Sequence, residues 1–492
     1  MNPIKQLFGQ TAVYGFGTVV PRLLNYVLLT PFFTRVFELS EYGVVTELYA
    51  YVVFLMIVLT YGMETGFFRY AQLHKDGNEV FSTSLLSLLC TSLVFVFLAG
   101  IFSRNIAGVL GYDERPEFIL WIGIIVGIDA FSSIPFARLR WANKAAKFAA
   151  IRIASVIVNI SLNFAFLYFI PERALKGPLP AWIDLVYNPD IGVGYVFISN
   201  MISSVFTLIL LTGTILRVKL KFKRDLWMKM LIYSFPLLVA GLAGTVNEAL
   251  DRILLKHLLP DPDSALAQLG IYGANYKIAV LMTLFIQMFR YASEPFYFGK
   301  AEHPKSRVLF AEVMKYFIIA SLGIFLCVTL YLDVFKYFIG TAFHEGLYIV
   351  PVVLLANLLL GIFFNLSIWY KLNNLTKFGA MITIIGAIIT FAVNWFLIPH
   401  YGYIASAWAH VACYGSMVVI SWMLGRKYYK ISYPLKSIGL YALLALVIYY
   451  AARSIEIQHI VPRLIINTIL LAGFSIIVVL KESKNIRKLS SY

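Results

Sequence analysis

Stretches of about twenty apolar positions recur along this chain, separated by short breaks rich in Lys, Arg, Asp, Gly and Pro. A bilayer core about 30 Å thick takes roughly 20 apolar residues per helical span. Fourteen runs meet that length, at 9–33, 42–66, 80–102, 118–137, 147–170, 191–216, 228–250, 271–295, 314–332, 346–370, 378–398, 402–424, 435–452 and 460–480. Apolar residues are continuous within each run, which predicts helices and not the alternating strands of a membrane barrel. The expected fold is an all-α integral membrane protein with about fourteen transmembrane helices. The first run follows only Lys5 and continues without an A-x-A site, so it is expected to be a retained helix and not a signal peptide.

Composition agrees: 60% hydrophobic and 13% charged residues, with a mean hydropathy of +0.79, exclude an ordinary soluble domain. Of the 41 Lys and Arg, 27 fall in the breaks, or within a turn of them, on the side that holds the N-terminus, 10 likewise on the opposite side, and four deeper inside runs. The positive-inside tendency then puts both termini in the cytoplasm. It also explains the net charge of +16 without nucleic acid, because RVKLKFKR at Arg217–Arg224 would lie beside anionic headgroups. Cys90, Cys327 and Cys413 all fall inside runs, far apart, and read as core residues without a disulfide framework or a metal motif.

The basic break at 217–229 follows the sixth run and divides the chain into a six-helix bundle over 1–216, a cytosolic linker, a second six-helix bundle over 230–430, and an added helix pair with a basic tail over 431–492. An internal repeat supports the division. Tyr42-Gly43 opens the second run and Tyr272-Gly273 the eighth, and the same offset of 230 lays Tyr61 over Tyr291 and Glu64 over Glu294. A rival register pairs FFRYA at Phe67–Ala71 with MFRYA at Met288–Ala292, but it needs a nine-residue slip inside a helix. Two six-helix units entering from the same face would be pseudo-symmetric about an axis along the membrane normal.

Inside the runs stand the bases Arg22, Arg152, Lys277 and Arg290 and the acids Glu47, Glu64, Asp129, Glu248 and Glu294. A charge at the bilayer centre costs about 2.5–3.5 kcal/mol on insertion scales, so depth decides which of them need a reason. Arg22 sits mid-run after Pro21, and half the core, roughly 15 Å, exceeds the reach of a snorkelling Arg. It must face a wet or polar interior, and Asp129, equally central in the fourth run, is a partner for it. That pair reads either as a static bridge or as the lining of a charged cavity, and intramembrane charges mark pathways. Lys277 lies nearer the outer end of the eighth run, and Arg290 near its cytosolic end. With Arg22 they trace a cationic track suited to an anionic group. Asp129, Glu64 and Glu294 are candidates for ion coupling or for charge pairing.

Glu248, Asp251 and Arg252 are placed by the pattern in the last turn of the seventh run and just beyond it, where Glu248 and Arg252 stand i, i+4. Two readings stay open there: an interfacial ion pair closing a helix, or an outer gate. Pro21, Pro31, Pro135, Pro236, Pro295 and Pro351 are expected to break helix ladders in or at the ends of runs. No G-x-x-x-x-G-K-[ST] loop and no H-E-x-x-H motif is present, so neither ATP hydrolysis nor that metal chemistry is expected, and no cofactor is called for. Asp261-Pro262-Asp263 reads as a turn and not as a metal-nucleotide motif. The longest outer loop, 171–190, is too short for a catalytic domain, which disfavours a polymerase or ligase.

Several stretches taken in order, TPFFTRVFELSEYG (Thr30–Gly43), PFARLRWANKAAKFAAIRI (Pro135–Ile153), NEALDRILL (Asn247–Leu255), LGIYGANYKIAVLM (Leu269–Met282) and FRYASEPF (Phe289–Phe296), resemble the polysaccharide flippases of the multidrug, oligosaccharidyl-lipid and polysaccharide exporter superfamily. Multidrug extruders of that superfamily have twelve spans, so the added pair favours the lipid-linked branch. The resemblance implies two bundles around a central cavity with alternating access. It also implies a polyprenyl-pyrophosphate-linked oligosaccharide as cargo, cavity arginines on the pyrophosphate (Arg22 and, by similarity, Arg290), and residence in a bacterial inner membrane. Membrane lipids, and a polysaccharide polymerase or glycosyltransferases, are the partners it suggests. Where the lipid II flippase has an Arg followed by Asp at the end of its first-helix motif, this chain reads PRLLNYV with Asn25, a departure that argues against lipid II as cargo. The alternative is an ion-coupled extruder of cationic drugs.

Overall fold

The computed structural model describes residues 17, 19–74, 76–455 and 459–489, with side chains through Ser483. Every regular element among them is helical. Twelve helices are long and apolar enough to cross a membrane, and a pair bent by 50° makes a thirteenth span. The chain is thus a multi-pass membrane protein. In order the helices are α1 (19–36), α2 (Leu39–Leu73), α3 (Gly77–Ile101), α4 (Glu117–Trp141), α5 (Ala145–Leu175), α6 (Gly194–Ile215), α7 (Arg224–Leu258), the bent α8 (Pro262–Ile278 and Val280–Gly299), α9 (Ser306–Leu330), α10 (Thr341–Leu372), α11 (Thr376–Tyr401), α12 (Tyr403–Tyr428), α13 (Leu435–Ser454) and α14 (Ile460–Ser483). The predicted first run begins outside the described residues, and so do Lys5 and the signal-peptide question.

Local chemistry sets the helix starts. Glu41 reaches back to accept from the Glu38 amide at 3.0 Å, so α2 opens on half of a capping box. Asp76 caps α3 by accepting from the Asn78 amide at 2.9 Å. Asp261, read from sequence as part of a turn, is the N-cap of α8, with Pro262 in the first helical turn where its missing N–H is harmless. A close crossing follows: a Cβ on Gly43 would stand 2.0 Å from the Leu266 carbonyl oxygen, and one on Gly270 equally near that of Leu39. Only glycine at both positions lets the start of α2 lie on α8.

The prolines do not mark the breaks as expected. Pro135, Pro236 and Pro295 sit inside unbroken helices, and Pro351 lies in the first turn of its helical segment. The breaks fall at Tyr61-Gly62 in α2, where both residues have positive φ (34° and 70°), and at Ala279 in α8. Neither site holds a proline. Pro31 and Pro171 act differently: each follows, two residues on, a five-residue π-turn, Asn25–Leu29 and Ala165–Phe169. A proline cannot donate to the carbonyl four residues back and crowds it, and a widened turn relieves both problems.

By packing, the described residues through Phe37 group with Val44–Thr245, and Glu38–Gly43 group with Val246–Tyr492. The change falls inside α7, after the basic segment 217–229, and that segment is fastened to the first group. Ser82 Oγ donates to the Lys221 carbonyl at 2.8 Å, and Lys223 Nζ pairs with Glu79 at 2.6 Å. In the second group α13 and α14 pack on α9. Lys315 of α9 and Glu482 of α14, 3% and 2% exposed, pair at 2.8 Å, with Tyr441 of α13 donating to Glu482 at 2.9 Å. At the other end of α9, Asn467 donates to the Leu330 carbonyl at 2.6 Å.

Candidate functional site

In the first group the central charges come together. Asp129 of α4 has the Ser204 hydroxyl and the Arg152 guanidinium for neighbours, and Arg152 also feels the charge of Arg22. Arg22 and Arg152 are exposed, while Asp129 is half-buried. The Arg152 guanidinium lies 4.0 Å from the centre of the Phe136 ring, a desolvated face that holds a cation without neutralising it. Sequence reasoning paired Asp129 with Arg22 and gave Arg152 no part, yet Arg152 faces both. The signal was the hydroxyl stripe beside it: Ser155, Ser203 and Thr207 form a chain of bonds of 2.8–2.9 Å between α5 and α6, a polar seam that fixes the packing of the helix that carries Arg152.

Glu64 and Glu294, candidates for coupling, are each tied to a base. Glu64 meets Arg140 at the end of α4, and Glu294 meets Lys371 at the end of α10 at 2.7 Å, with Arg290 at 3.8 Å. The Arg290 guanidinium lies 4.7 Å from the centre of the Phe364 ring, beside a cleft that Glu294, Asn365 and Lys371 also line. Just beyond each tie the chain turns through an asparagine with positive φ, Asn143 (54°) and Asn374 (57°). The amide that follows each Asn donates back to the carbonyl five residues earlier, Lys144 to Leu139 at 2.9 Å and Leu375 to Tyr370 at 2.7 Å. The tie and the turn thus recur at offsets of 230 and 231. Lys277 stands in the last turn of the first segment of α8, where the helix dipole favours a cation, right at the bend.

The cluster at Glu248, Asp251 and Arg252 is a correction to the sequence reading, because α7 continues to Leu258 and carries it within the helix, with Asp251 buried, Arg252 half-buried and Glu248 exposed. The apolar window ends near residue 250, but Leu255 is fully buried and carries the helix two turns further. Arg252 does not pair with the Glu248 carboxylate: its Nη1 donates to the Glu248 backbone carbonyl at 2.9 Å, and its guanidinium lies 4.9 Å from the centre of the Tyr276 ring. Asp251, 1% exposed, accepts from Tyr272 at 2.6 Å and faces His410 Nε2 of α12 at 3.1 Å. Asp251 Oδ1 and His410 Nδ1 have no hydrogen-bond partner among the described residues. A buried acid and imidazole with unused capacity can take up a proton or a small cation. His410 was missed by the sequence reading. Its one signal is a lone titratable residue in the small-residue run ASAWAHVAC, where Ala405, Ala407 and Ala409 are buried.

Glu47 of α2, fully buried, accepts from the Tyr112 hydroxyl. Burial first, and the carboxylate second, push the Tyr112 phenol well above its usual range and keep it a donor. Among the described residues no group of three or more His, Cys, Asp or Glu is arranged to hold a metal.

Residues 8–296 match the profile of a family described as polysaccharide biosynthesis protein. No curated protein sequence matches. Among solved structures, the lipid II flippase MurJ in an inward closed conformation aligns with a TM-score of 0.69 at 14% identity, over 98% of this chain and 98% of that one. A multidrug resistance MATE family transporter of the MOP superfamily, inward-facing, gives 0.63 at 13% identity, over 84% and 94%. The MATE multidrug transporter DinF-BH gives 0.60 at 16%, over 87% and 96%. At these identities the likeness establishes a common fold.

Proposed function

The chain belongs to the polysaccharide biosynthesis protein family, and we propose that it is a flippase that moves a polyprenyl-pyrophosphate-linked oligosaccharide from the cytosolic to the outer leaflet of a bacterial inner membrane, with both termini cytoplasmic. The observation that carries the reading is the exposed pair Arg22 and Arg152, with the carboxylate of Asp129 beside Arg152. Two guanidiniums, that of Arg152 resting on the Phe136 ring, suit a pyrophosphate, since each offers forked donors to phosphate oxygens. A cationic drug would meet repulsion at the same place. Lys277, at the bend of α8, and Arg290 are proposed as further cationic contacts for the phosphates. Glu64 and Glu294 are structural ties in this scheme and do not carry the ion.

Asp251 and His410 take the coupling role instead. A proton or small cation bound there would change the charge of a sealed site, and alternating access would follow from the difference in its affinity between states. Polysaccharide polymerases and glycosyltransferases are the enzymes that would consume and supply the cargo. The outer gate suggested by sequence is replaced, in this proposal, by the Asp251 site.

The test is flipping of a polyprenyl-pyrophosphate oligosaccharide in proteoliposomes. A charge-assisted hydrogen bond is worth about 1.5–3 kcal/mol, so Arg22→Ala and Arg152→Ala should each slow flipping by about 10- to 100-fold while the protein stays folded in the membrane. Wild-type rates in the double variant would overturn the assignment. Export of a cationic dye that survives both substitutions but fails in Asp251→Asn would favour the extruder reading.

A further inference from the structure

The second group holds a cleft of about 410 Å³ at the end of α9. It is lined by the last turn of α9, the start of α10, the end of α13 and the beginning of α14, so it opens at the level where four helices leave the hydrocarbon. Three bases line it, Lys336, Arg453 and Arg463, against one carboxylate among the described residues, Asp333. Asp333 is shared by two of them: Lys336 Nζ lies 3.0 Å from Oδ1 and Arg463 Nη1 lies 2.7 Å from Oδ2. Arg453 is held by a bond of 3.0 Å to the Tyr449 hydroxyl, a turn away on its own helix. Among the described residues, surplus positive charge therefore faces a cavity whose wall also includes Leu330, Leu332, Leu347, Pro351 and Ile455, with Thr329, Tyr348, Tyr449 and Asn467 between them.

We infer that this cleft binds the phosphate of a membrane lipid headgroup, with the lipid's chains on the apolar faces of α13 and α14. The volume suits a small ligand. Bases on one side and an apolar floor on the other distinguish a lipid-borne phosphate from a free ion, which gains nothing from the floor. Below the cleft Leu446, Val447 and Tyr450 of α13 and Ile465 and Ile469 of α14 are exposed, so acyl or prenyl chains have a surface to follow. The rigid frame is already in place, because Tyr331 and Thr468 join α9 to α14 through their hydroxyls at 2.6 Å and Asn467 adds its bond to Leu330. Binding here would fasten the added helix pair to α9 and does not depend on the flippase reading.

The experiment is native mass spectrometry of the full chain in detergent, titrated in turn with phosphatidylglycerol, phosphatidylcholine, polyprenyl pyrophosphate and inorganic phosphate. Wild type should retain a phosphate-bearing anionic lipid over phosphatidylcholine. Lys336→Gln with Arg453→Gln should weaken it by about thirty-fold, or about fivefold for each cation removed near an anionic surface. Arg453→Lys should keep most of the binding. Asp333→Asn should strengthen it, an effect opposite in sign to a loss of folding. Preference for phosphatidylglycerol assigns the cleft to a bilayer lipid, and preference for polyprenyl pyrophosphate alone assigns it to cargo on its way out. Equal retention of every lipid by wild type and double variant would overturn the inference, and so would inorganic phosphate binding as tightly as the lipids.

Discussion

In the first half of the chain Glu64 meets Arg140 and Asn143 turns α4 into α5; in the second, Glu294 meets Lys371 and Asn374 turns α10 into α11. Further into the helices the halves part company. The first half sets Arg22 and Arg152 where solvent reaches them, around Asp129. The second seals Asp251 with Tyr272 and His410. Duplicated hairpin ends are what a helix pair needs in order to close on itself, whatever it encloses. The charges between those ends are free to diverge, so one half can hold an anionic headgroup while the other holds an ion.

That division is broken most directly by exchanging the effects of two carboxylates. Asp251→Asn keeps an acceptor for Tyr272 but removes the charge opposite His410, and it should abolish stimulation of transport by an ion gradient. A coupling free energy of 1–3 kcal/mol makes the expected loss about 5- to 150-fold. Asp129→Asn should leave the gradient response intact and change the affinity for the pyrophosphate substrate instead. Rates measured with and without a gradient in the same vesicles decide the matter: if both variants lose the gradient response, the halves are not specialised as described.

The spans themselves were legible because hydropathy reads directly on the bilayer, and every predicted run from the second onward has its helix. Helix ends were not. The run that stops near residue 250 hid the last two turns of α7, since backbone hydrogen bonding continues wherever protein covers it, and so Asp251 was placed at an interface when it lies in a core. Breaks were misread as well: Pro135, Pro236 and Pro295 lie inside continuous helices, while Tyr61-Gly62 breaks α2 with no proline at all. The correspondence of Glu64 with Glu294 was visible in the letters, but their partners Arg140 and Lys371 differ in type and lie some 76 positions away. His410 could be named only once α12 was seen against α7.

The repeated turns sharpen the comparison with a smaller effect. Left-handed backbone costs a residue with a β-carbon roughly 1–2 kcal/mol, and Asn143→Ala and Asn374→Ala each remove the short polar side chain with which asparagine relieves part of that penalty, whereas glycine relieves all of it. Both alanine variants should lower the melting midpoint by similar amounts, and the glycine variants should restore or exceed it. Glu64→Gln and Glu294→Gln, at partly exposed ties, should each change stability by no more than about 1 kcal/mol. A large effect in one half with none in the other would show that the shared geometry hides different roles.

The smallest effect belongs to a feature with no counterpart in the first half, the carboxylate that joins the added helix pair to the end of α9. Burial alone would raise the Asp333 pKa, but the hydrogen bonds and charges of Arg463 and Lys336 outweigh it and hold the carboxyl below its usual value. A carboxyl whose pKa is depressed on folding stabilises the folded state fully above its unfolded pKa, about 3.9 for Asp, and that contribution disappears as pH falls through the lower folded value. Thermal melting of the wild type should therefore drop as pH is lowered from about 5 toward 3, and Asp333→Asn should remove part of that slope by lowering the melting midpoint slightly at pH 7, with the two proteins converging toward pH 3. Because Asp333, Lys336 and Arg463 are all partly exposed, solvent screens the pair and the difference should be small. An Asp333→Asn slope as steep as that of the wild type would mean that at this end of α9 the tie to α14 rests on Asn467 and Thr468.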